Sequence, residues 1–142
     1  MQVFITGSPL ETAIALDSKR LNKQIIECGQ ILDALSGFTA WRNHPAVLQY
    51  RGYEEWLENY MNCLEAHKMG NKNYALCCNR IANEMTPDWH TQEYYDQMKR
   101  RLYTKDNEYY KQWANLGESD VNWYWSHEKQ EFIKYRNGKR IE

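Results

Sequence analysis

Apolar residues recur along most of the chain at the spacing of amphipathic helices. When residue 21 is set at zero and each step advances by about 100°, five apolar side chains fall within about 40° of one line. These are Leu21, Ile25, Cys28, Leu32 and Leu35. The pattern predicts a helix over residues 17–35 with that line as its core face. Asp17 is a good N-cap and Gly37 follows the last apolar position, so both ends carry the expected signals.

The same spacing predicts a long helix in the middle of the chain. Asn43 or His44 is expected to cap a helix that begins at Pro45, because proline is tolerated in the first helical turn. The apolar pattern extends this helix to about residue 69, where Gly70 ends it. Gly52 lies inside the segment and costs about 1 kcal/mol relative to alanine, which indicates a close helix crossing or a bend.

The rest of the pattern predicts shorter helices and little extended structure. Helices are expected at residues 73–85, from residue 91 through 102, and from residue 106 through 113. Residues 7–9 are expected to form a turn, and residues 3–5 to be extended. We therefore predict a mainly α fold: a single compact helical domain over residues 1–142, with an irregular aromatic and basic tail from about residue 117 to 142. A strand is the alternative for residues 121–125.

The composition is that of a globular protein, with 142 residues of which 42% are hydrophobic and 26% charged. Its net charge of −1 provides no overall field that would attract nucleic acid, so phosphate binding would have to come from local basic clusters. Two such clusters exist, one at residues 99–101 with Lys105 and one at residues 134–140. A solvated face is the simpler interpretation of either cluster.

Several classes of chemistry lack their motifs in this sequence. The four cysteines include no C-x-x-C pair and the four histidines no pair at helical i, i+4 spacing, so neither a metal nor a cofactor is expected. A P-loop, a dinucleotide-binding fingerprint and a G-x-S-x-G elbow are also missing. No run of 18 apolar residues is present and the first residues do not form a signal peptide, so we expect no membrane association and a cytoplasmic location.

A polar stripe runs beside the core face of the first long helix. Arg20, Gln24 and Glu27 lie at i, i+4 and i+7, roughly 60–120° from the core line. At that position Glu27 would be partly desolvated and beside the cation of Lys23, which is where an acid–base group can be tuned. The simpler interpretation is a solvated Lys23–Glu27 pair, worth a few tenths of a kcal/mol.

Four segments, taken in their order, resemble a known family. They are DSKRLNKQIIE at 17–27, WRNHPAV at 41–47, GYE at 52–54 and RLYTKD at 101–106. Together they resemble the pyrimidine-dimer DNA glycosylases, the endonuclease V-type enzymes of bacteriophages and their bacterial relatives. The resemblance extends from the N-terminus to about Trp113, close to four-fifths of the chain.

The resemblance implies a compact helical DNA repair protein, a DNA glycosylase/AP lyase, that acts on double-stranded DNA in a bacterial or phage-infected cell. Its nucleophile would be the α-amine of Met1, a group whose ordinary pKa of about 7.7–8.0 leaves much of it neutral near pH 7.5. The catalytic glutamate of the family falls on Glu27. Its phosphate-binding cations fall on Arg101 and Lys105, and we expect Arg20 and Lys23 to bind the nucleic acid as well.

Two positions depart from the phage enzyme. There, a small residue follows the initiator methionine, which is removed, whereas Gln2 follows Met1 here and is expected to leave the methionine in place. Ile26 stands where the phage enzyme has an arginine before the glutamate, although bacterial relatives also have an aliphatic residue there.

Other interpretations remain open from the sequence. The alternative is that the chain is a non-catalytic member of the same fold, a small phage-type protein that binds nucleic acid or a host protein partner. The 11 tyrosines and 6 tryptophans favour this, because both residue types are enriched at protein interfaces. A weaker alternative is an RNA or modified-nucleotide binder. For base flipping, Trp41 and Trp89 are the candidate aromatic wedges.

Overall fold

The computed structural model describes residues 2–37 and 40–141, and its fold is mainly α as the pattern predicts. Its helices are α1 (Pro9–Ala15), α2 (Ser18–Leu35), α3 (Pro45–Gln49), α4 (Glu54–Lys68), α5 (Lys72–Asn83) and α6 (Gln92–Lys105). Short 3₁₀ segments span Ala40–Asn43 and Lys111–Leu116. An antiparallel sheet follows, with strands β1 (Val121–Ser126), β2 (Glu131–Arg136) and β3 (Lys139–Ile141) in that order.

Helix α1 stands where only a turn is predicted. Ser8 caps it by accepting a hydrogen bond from the Glu11 amide, and the Glu11 side chain accepts one from the Ser8 amide in return. Pro9 occupies the first helical position, where its missing N–H is not needed. This capping box was the sequence signal for the helix.

Helix α2 has the predicted bounds, but its core face is rotated towards the polar stripe. Its buried residues are Leu21, Gln24, Cys28, Ile31 and Ala34. Ile25, Leu32 and Leu35 are only partly buried against the core. The rotation occurs because an extended N-terminal segment, residues 2–6, packs along the flank that carries Gln24. A polar side chain can be buried there because the backbone of that segment supplies its hydrogen-bond partners.

The long helix predicted over residues 45–69 is wrong as a single element. It is two helices, α3 and α4, separated at Tyr50 to Tyr53 by a turn in which Gly52 has a φ of 91°. A left-handed backbone cannot continue an α-helix and strains any residue with a Cβ, so Gly52 ends one helix and redirects the chain.

Helix α4 forms the centre of the core, where it packs against α1, α2 and α5. Three aromatic rings stack beside it: Tyr50 on Trp56 with ring centroids 5.5 Å apart, and Trp56 on Tyr60 at 5.1 Å. All three rings are fully buried. Such offset-stacked pairs add about 0.5–1.5 kcal/mol each beyond the area they bury.

The C-terminal segment, for which an irregular tail is expected, is a regular sheet. Arg136 pairs with Lys139 across a two-residue turn, in which Asn137 and Gly138 have φ values of 52° and 76°. An Asn-Gly pair is the preferred sequence for such a hairpin turn, and it was the missed sequence signal. The alternation of β1 turns Trp123 and Trp125 towards the helices, where both contact Phe132 of β2.

In the part of the chain that the structure describes, no helix is long and apolar enough to span a membrane.

Candidate active site

The site begins with the extended N-terminal segment, residues 2–6. Val3 and Ile5 are buried, yet this segment has no strand partner among the described residues. Side chains satisfy its backbone instead: Tyr94 Oη donates to the Val3 carbonyl at 3.4 Å, and the Thr6 amide donates to Thr12 Oγ1 at 3.0 Å. The segment is thereby held against α6 and α1.

Glu27 meets this segment at its first described residue. The Gln2 backbone N–H donates to Glu27 Oε2 at 3.3 Å. Lys23 Nζ lies 4.0 Å from Glu27 Oε1, and the Glu27 side chain is 15% exposed against 71% for Lys23. The carboxylate is therefore at the rim of the core beside a cation, where the helical pattern places it.

A cleft of about 150 Å³ opens over Glu27 between α2 and α6. Four of its seven lining residues are cations and one is this carboxylate: Phe4, Lys19, Arg20, Lys23, Gln24, Glu27 and Lys105. Lys105 is supplied by the last turn of α6, some 80 positions away from α2 in sequence. The cleft thus combines one carboxylate with several cations next to the N-terminal segment.

Arg20 is fixed at the edge of this cleft by a partly buried network. Its Nη1 donates to Asp17 Oδ1 at 3.2 Å, and its guanidinium carbon lies 5.9 Å from the centre of the Tyr110 ring. Tyr110 Oη donates to the same Asp17 carboxylate. Burial acts to raise the pKa of Asp17, but the hydrogen bonds from Tyr110 and Arg20 outweigh it and hold the pKa below its ordinary value.

Arg101 and Lys105 lie one helical turn apart on α6 and lack acidic partners. Among residues 2–37 and 40–141, no carboxylate oxygen lies within 4.0 Å of either cation. Burial lowers the pKa of the Arg101 guanidinium. Burial lowers the pKa of the Lys105 ammonium, and so do the neighbouring cations Arg101, Arg20 and Lys23. An anion bound here would relieve this repulsion.

A second cavity, of about 290 Å³, lies on the other side of Gln2. The sheet supplies one wall with Asn122, Trp123, Tyr124, Trp125 and Phe132, and the helical part supplies the rest with Gln2, His44, Pro45, Ala46, Gln49, Tyr94, Met98 and Arg101. Five aromatic residues line the cavity, and burial lowers the pKa of the His44 imidazole at its edge. Arg101 reaches from this cavity towards Asn122 Oδ1, at 3.5 Å.

Two cations of the C-terminal basic cluster differ from Arg101 and Lys105 because each lies next to an acid. Lys134 Nζ lies 2.8 Å from Glu93 Oε1 and 4.4 Å from the centre of the Trp123 ring. Arg136 Nε lies 3.1 Å from Asp120 Oδ1. These cations already have counter-charges, which makes them weaker anion-binding groups than Arg101 and Lys105.

The two candidate wedges have different environments. Trp89 packs inside an aromatic cluster with His90, Tyr94 and Trp125, and its Nε1 is buried, so the structure contradicts a wedge role for this ring. Trp41 is 59% exposed and lies edge-on to His44, with ring centroids 6.0 Å apart. Of these two rings, Trp41 is therefore the one exposed enough to act as a wedge.

The structure brings most of the predicted site residues together. Arg20, Lys23, Glu27 and Lys105 line the cleft, and Arg101 lines the adjoining cavity. Met1 lies outside the described residues. Sequence reasoning missed the supporting side chains of this site, which are Gln24, Tyr60 and Tyr94. Of these, only Gln24 carried a sequence signal, its place on the polar stripe.

The sequence profile of the family described as pyrimidine dimer DNA glycosylase matches residues 1–81. The match covers more than half of the chain, and the chain belongs to this family. It includes Glu27 and Trp41 but ends before Arg101 and Lys105. Comparisons with curated proteins and with solved structures gave no match. Family membership supports a DNA glycosylase-like repair function in general, with DNA as the substrate.

Proposed function

We propose that the protein is a DNA glycosylase with AP-lyase activity, in which the α-amine of Met1 is the nucleophile and Glu27 is the catalytic acid–base group. The observation that carries this proposal is the hydrogen bond from the Gln2 amide to Glu27. Only three covalent bonds separate that amide nitrogen from the α-amine of Met1. The amine is therefore tethered close to a carboxylate that lies in a cationic cleft.

The reaction has two stages. The neutral amine attacks C1′ of the damaged nucleotide, the glycosidic bond breaks, and its electron pair leaves with the base, which takes up a proton. The sugar ring opens to give an imine between C1′ and the amine. Loss of a proton from C2′ then expels the phosphate from C3′ and breaks the strand, and water releases the amine. Glu27 stabilises the iminium charge and transfers the protons.

The cations of the cleft, together with Arg101 of the second cavity, would hold the DNA backbone. Arg101 and Lys105 have no acidic partner among the described residues, so binding a phosphate costs them no existing ion pair. Arg20 and Lys23 extend the same surface along α2. Phosphate contacts of this kind fix the register of the duplex rather than its sequence, which suits an enzyme directed to a lesion.

Base extrusion would use features beside the cleft. The exposed ring of Trp41 would enter the base stack from the 3₁₀ segment Ala40–Asn43, and the aromatic cavity beside Gln2 would accept the displaced base. Stacking on an aromatic ring is worth about 1–3 kcal/mol per base, enough to offset much of the cost of unstacking.

The test is cleavage of duplex DNA that contains one cyclobutane pyrimidine dimer. We expect nicking at the dimer with a 3′ unsaturated aldehyde, the product of β-elimination, and none on the undamaged duplex. A duplex with an abasic site should also be nicked. A 3′-hydroxyl product would indicate hydrolysis and contradict the amine mechanism.

A protein-binding role is the second candidate. Ile14 and Leu76 are 63% and 55% exposed and line an apolar groove of about 330 Å³ between α1 and α5. The net charge of −1 also gives DNA little long-range attraction. If this role holds instead, the dimer-containing duplex remains intact and Ile14→Ser, unlike Glu27→Gln, weakens association with the partner.

A further inference from the structure

The N-terminal segment is held by side chains rather than by a neighbouring strand. A buried backbone N–H or C=O without a partner costs about 1–3 kcal/mol, so each polar group along residues 2–6 requires one. Gln24, which is only 2% exposed, supplies partners for two of them. Its Nε2 donates to the Gln2 carbonyl at 2.8 Å, and its Oε1 accepts from the Phe4 amide.

Tyr60 completes this arrangement from α4. Its hydroxyl lies 3.0 Å from Gln24 Oε1 and also contacts the Phe4 carbonyl oxygen. Both side chains are buried, and the Tyr60 ring is locked in the aromatic stack on Trp56. The carboxamide of Gln24 therefore has a fixed orientation, and it pairs with the N-terminal segment as a peptide group of an adjacent strand would.

The chemistry of this contact selects glutamine. The side chain at position 24 must donate to the Gln2 carbonyl and accept from the Phe4 amide. A carboxamide carries both a donor and an acceptor at the correct separation. Glutamate would place a charge at a 2% exposed position and would lose the donor. Methionine would fit the space but would make neither hydrogen bond.

Gln24 and Glu27 lie three residues apart on α2, so they face the same residue of the N-terminal segment. Glu27 accepts from the nitrogen of Gln2 and Gln24 donates to its carbonyl. With both backbone groups of Gln2 held by one rigid helix, the position of Gln2 is fixed relative to the carboxylate.

We propose that Gln24, with Tyr60, is a positioning residue that presents the N-terminal amine to Glu27. This inference rests on the proposed function. Misplacement of a reacting group by about 1 Å costs up to about 100-fold in rate, so loss of the Gln24 contacts should slow formation of the imine. DNA binding should be unaffected, because Gln24 is only 2% exposed and its side-chain hydrogen bonds go to Gln2, Phe4 and Tyr60 rather than to the cations.

The experiment measures single-turnover borohydride trapping of the full chain on an abasic duplex, together with the dissociation constant for the same DNA. For Gln24→Met we expect trapping to be slower by about 10- to 100-fold, with affinity within about twofold of wild type. Hydrogen exchange of the Phe4 amide should accelerate in parallel. Tyr60→Phe removes one hydroxyl without changing the ring, and should give a smaller decrease of about threefold in the same direction.

Gln97→Met is the matched control. Gln97 is also a buried glutamine, 3% exposed, whose Nε2 donates to a backbone carbonyl at 2.8 Å, but that carbonyl belongs to Val121 at the start of the sheet. The Gln97→Met substitution should destabilise the fold about as much as Gln24→Met does and leave the rate of trapping unchanged.

Two results would overturn the inference while leaving the proposed function intact. In one, Gln24→Met traps at the wild-type rate although its Phe4 amide has lost protection. In the other, Gln97→Met is slowed as much as Gln24→Met, which would show a general effect of stability. If the wild-type protein forms no adduct, the proposed function itself fails and the positioning role fails with it. Should Gln24→Met not fold, Tyr60→Phe decides between the same outcomes.

Discussion

The cations Arg101 and Lys105 of α6 and the cations Lys134 and Arg136 of the C-terminal sheet belong to two basic clusters that differ in how acids pair with them. Arg101 and Lys105 have no carboxylate within 4.0 Å among the described residues, whereas Lys134 and Arg136 are paired with Glu93 and Asp120. The two clusters are indistinguishable by composition. What distinguishes Arg101 and Lys105 from Lys134 and Arg136 is therefore the acidic partners of these cations, not their number.

The acids near these two groups of cations differ in their exposure to solvent. Glu27 is 15% exposed and accepts a hydrogen bond from the backbone of residue 2, while Glu93 and Asp120 are each 68% exposed and serve only as counter-charges. A carboxylate at the rim of the core is held in one orientation by its surroundings. Exposed ion pairs such as Lys134–Glu93 and Arg136–Asp120 contribute about 0–1 kcal/mol to stability and are screened by salt.

The largest expected effect comes from replacing the acid of the cleft. Glu27→Gln should slow strand cleavage on an abasic duplex at least about 100-fold, because a general acid–base group is worth about 10²–10⁴ in rate. Affinity for the DNA should remain or increase slightly, since a negative charge is removed. Glu93→Gln is the matched control, an exposed acid of α6 that pairs with Lys134 of the sheet, and should cleave normally. Equal rates for wild type and Glu27→Gln would remove Glu27 from the mechanism.

A second effect concerns the aromatic layer where the helices meet the sheet. Burial lowers the pKa of His90 to about 3, from an ordinary value near 6.5. Between those two values the unfolded chain binds a proton that the folded chain does not, so stability falls as pH falls. From pH 7 to pH 5 the loss should be about 2 kcal/mol. Urea unfolding at the two pH values measures it.

His90→Phe isolates this contribution because it keeps an aromatic ring and removes the titrating group. The variant should lose much less stability between pH 7 and pH 5 than wild type does. The pKa of His44 is also lowered by burial, so a small loss of the same sign should remain. The pKa of Asp17 is below its ordinary value of 3.8, so this carboxylate stays ionised between pH 7 and pH 5 and does not add to the pH dependence of stability. An unchanged pH dependence in His90→Phe would contradict the assignment.

A third prediction addresses Arg101, the cation that lines the second cavity. Arg101→Ala should weaken binding to an abasic duplex about tenfold at low salt, as expected for loss of a charge-assisted hydrogen bond. The slope of log affinity against log salt should become shallower by about 0.9, the effect of one phosphate contact. Weaker binding with an unchanged slope would instead indicate that Arg101 supports the fold through Asn122.

The smallest effect is expected in the sheet. Lys134→Ala with Arg136→Ala removes as much positive charge as the double variant of Arg101 and Lys105, but should change affinity by less than about twofold, because these cations are already paired. Comparing the two double variants at one salt concentration tests the contrast itself. If both lose affinity equally, net charge rather than pairing determines binding.

The sequence predicts the parts of this fold that depend on local signals. Asp17 and Gly37 mark the ends of α2, and Thr91 marks the start of α6, as the structure has them. The break at Gly52 was visible as a glycine, but the sequence did not determine whether it bends a helix or divides it. That outcome depends on the packing of the stacked rings of Tyr50 and Trp56, which are neighbours only in the folded chain.

The candidate site was predictable to a similar extent. Helical spacing and the family resemblance together placed Glu27 in a group with Arg20, Lys23 and Lys105, which share one cleft. The burial of Gln24 was not predictable, because its partners are backbone groups of a segment 20 or more residues away. Periodicity reports the side of a helix on which a residue lies, but not which segment packs against it.

The most direct test of the central claim is borohydride trapping of the wild-type protein on an abasic duplex, followed by peptide mapping of the adduct. The proposal predicts one covalent adduct, on the peptide that begins at Met1, and its loss after selective acetylation of the α-amine. An adduct on a lysine such as Lys23 or Lys105, or no adduct from folded protein that binds the DNA, would contradict the N-terminal amine as the nucleophile.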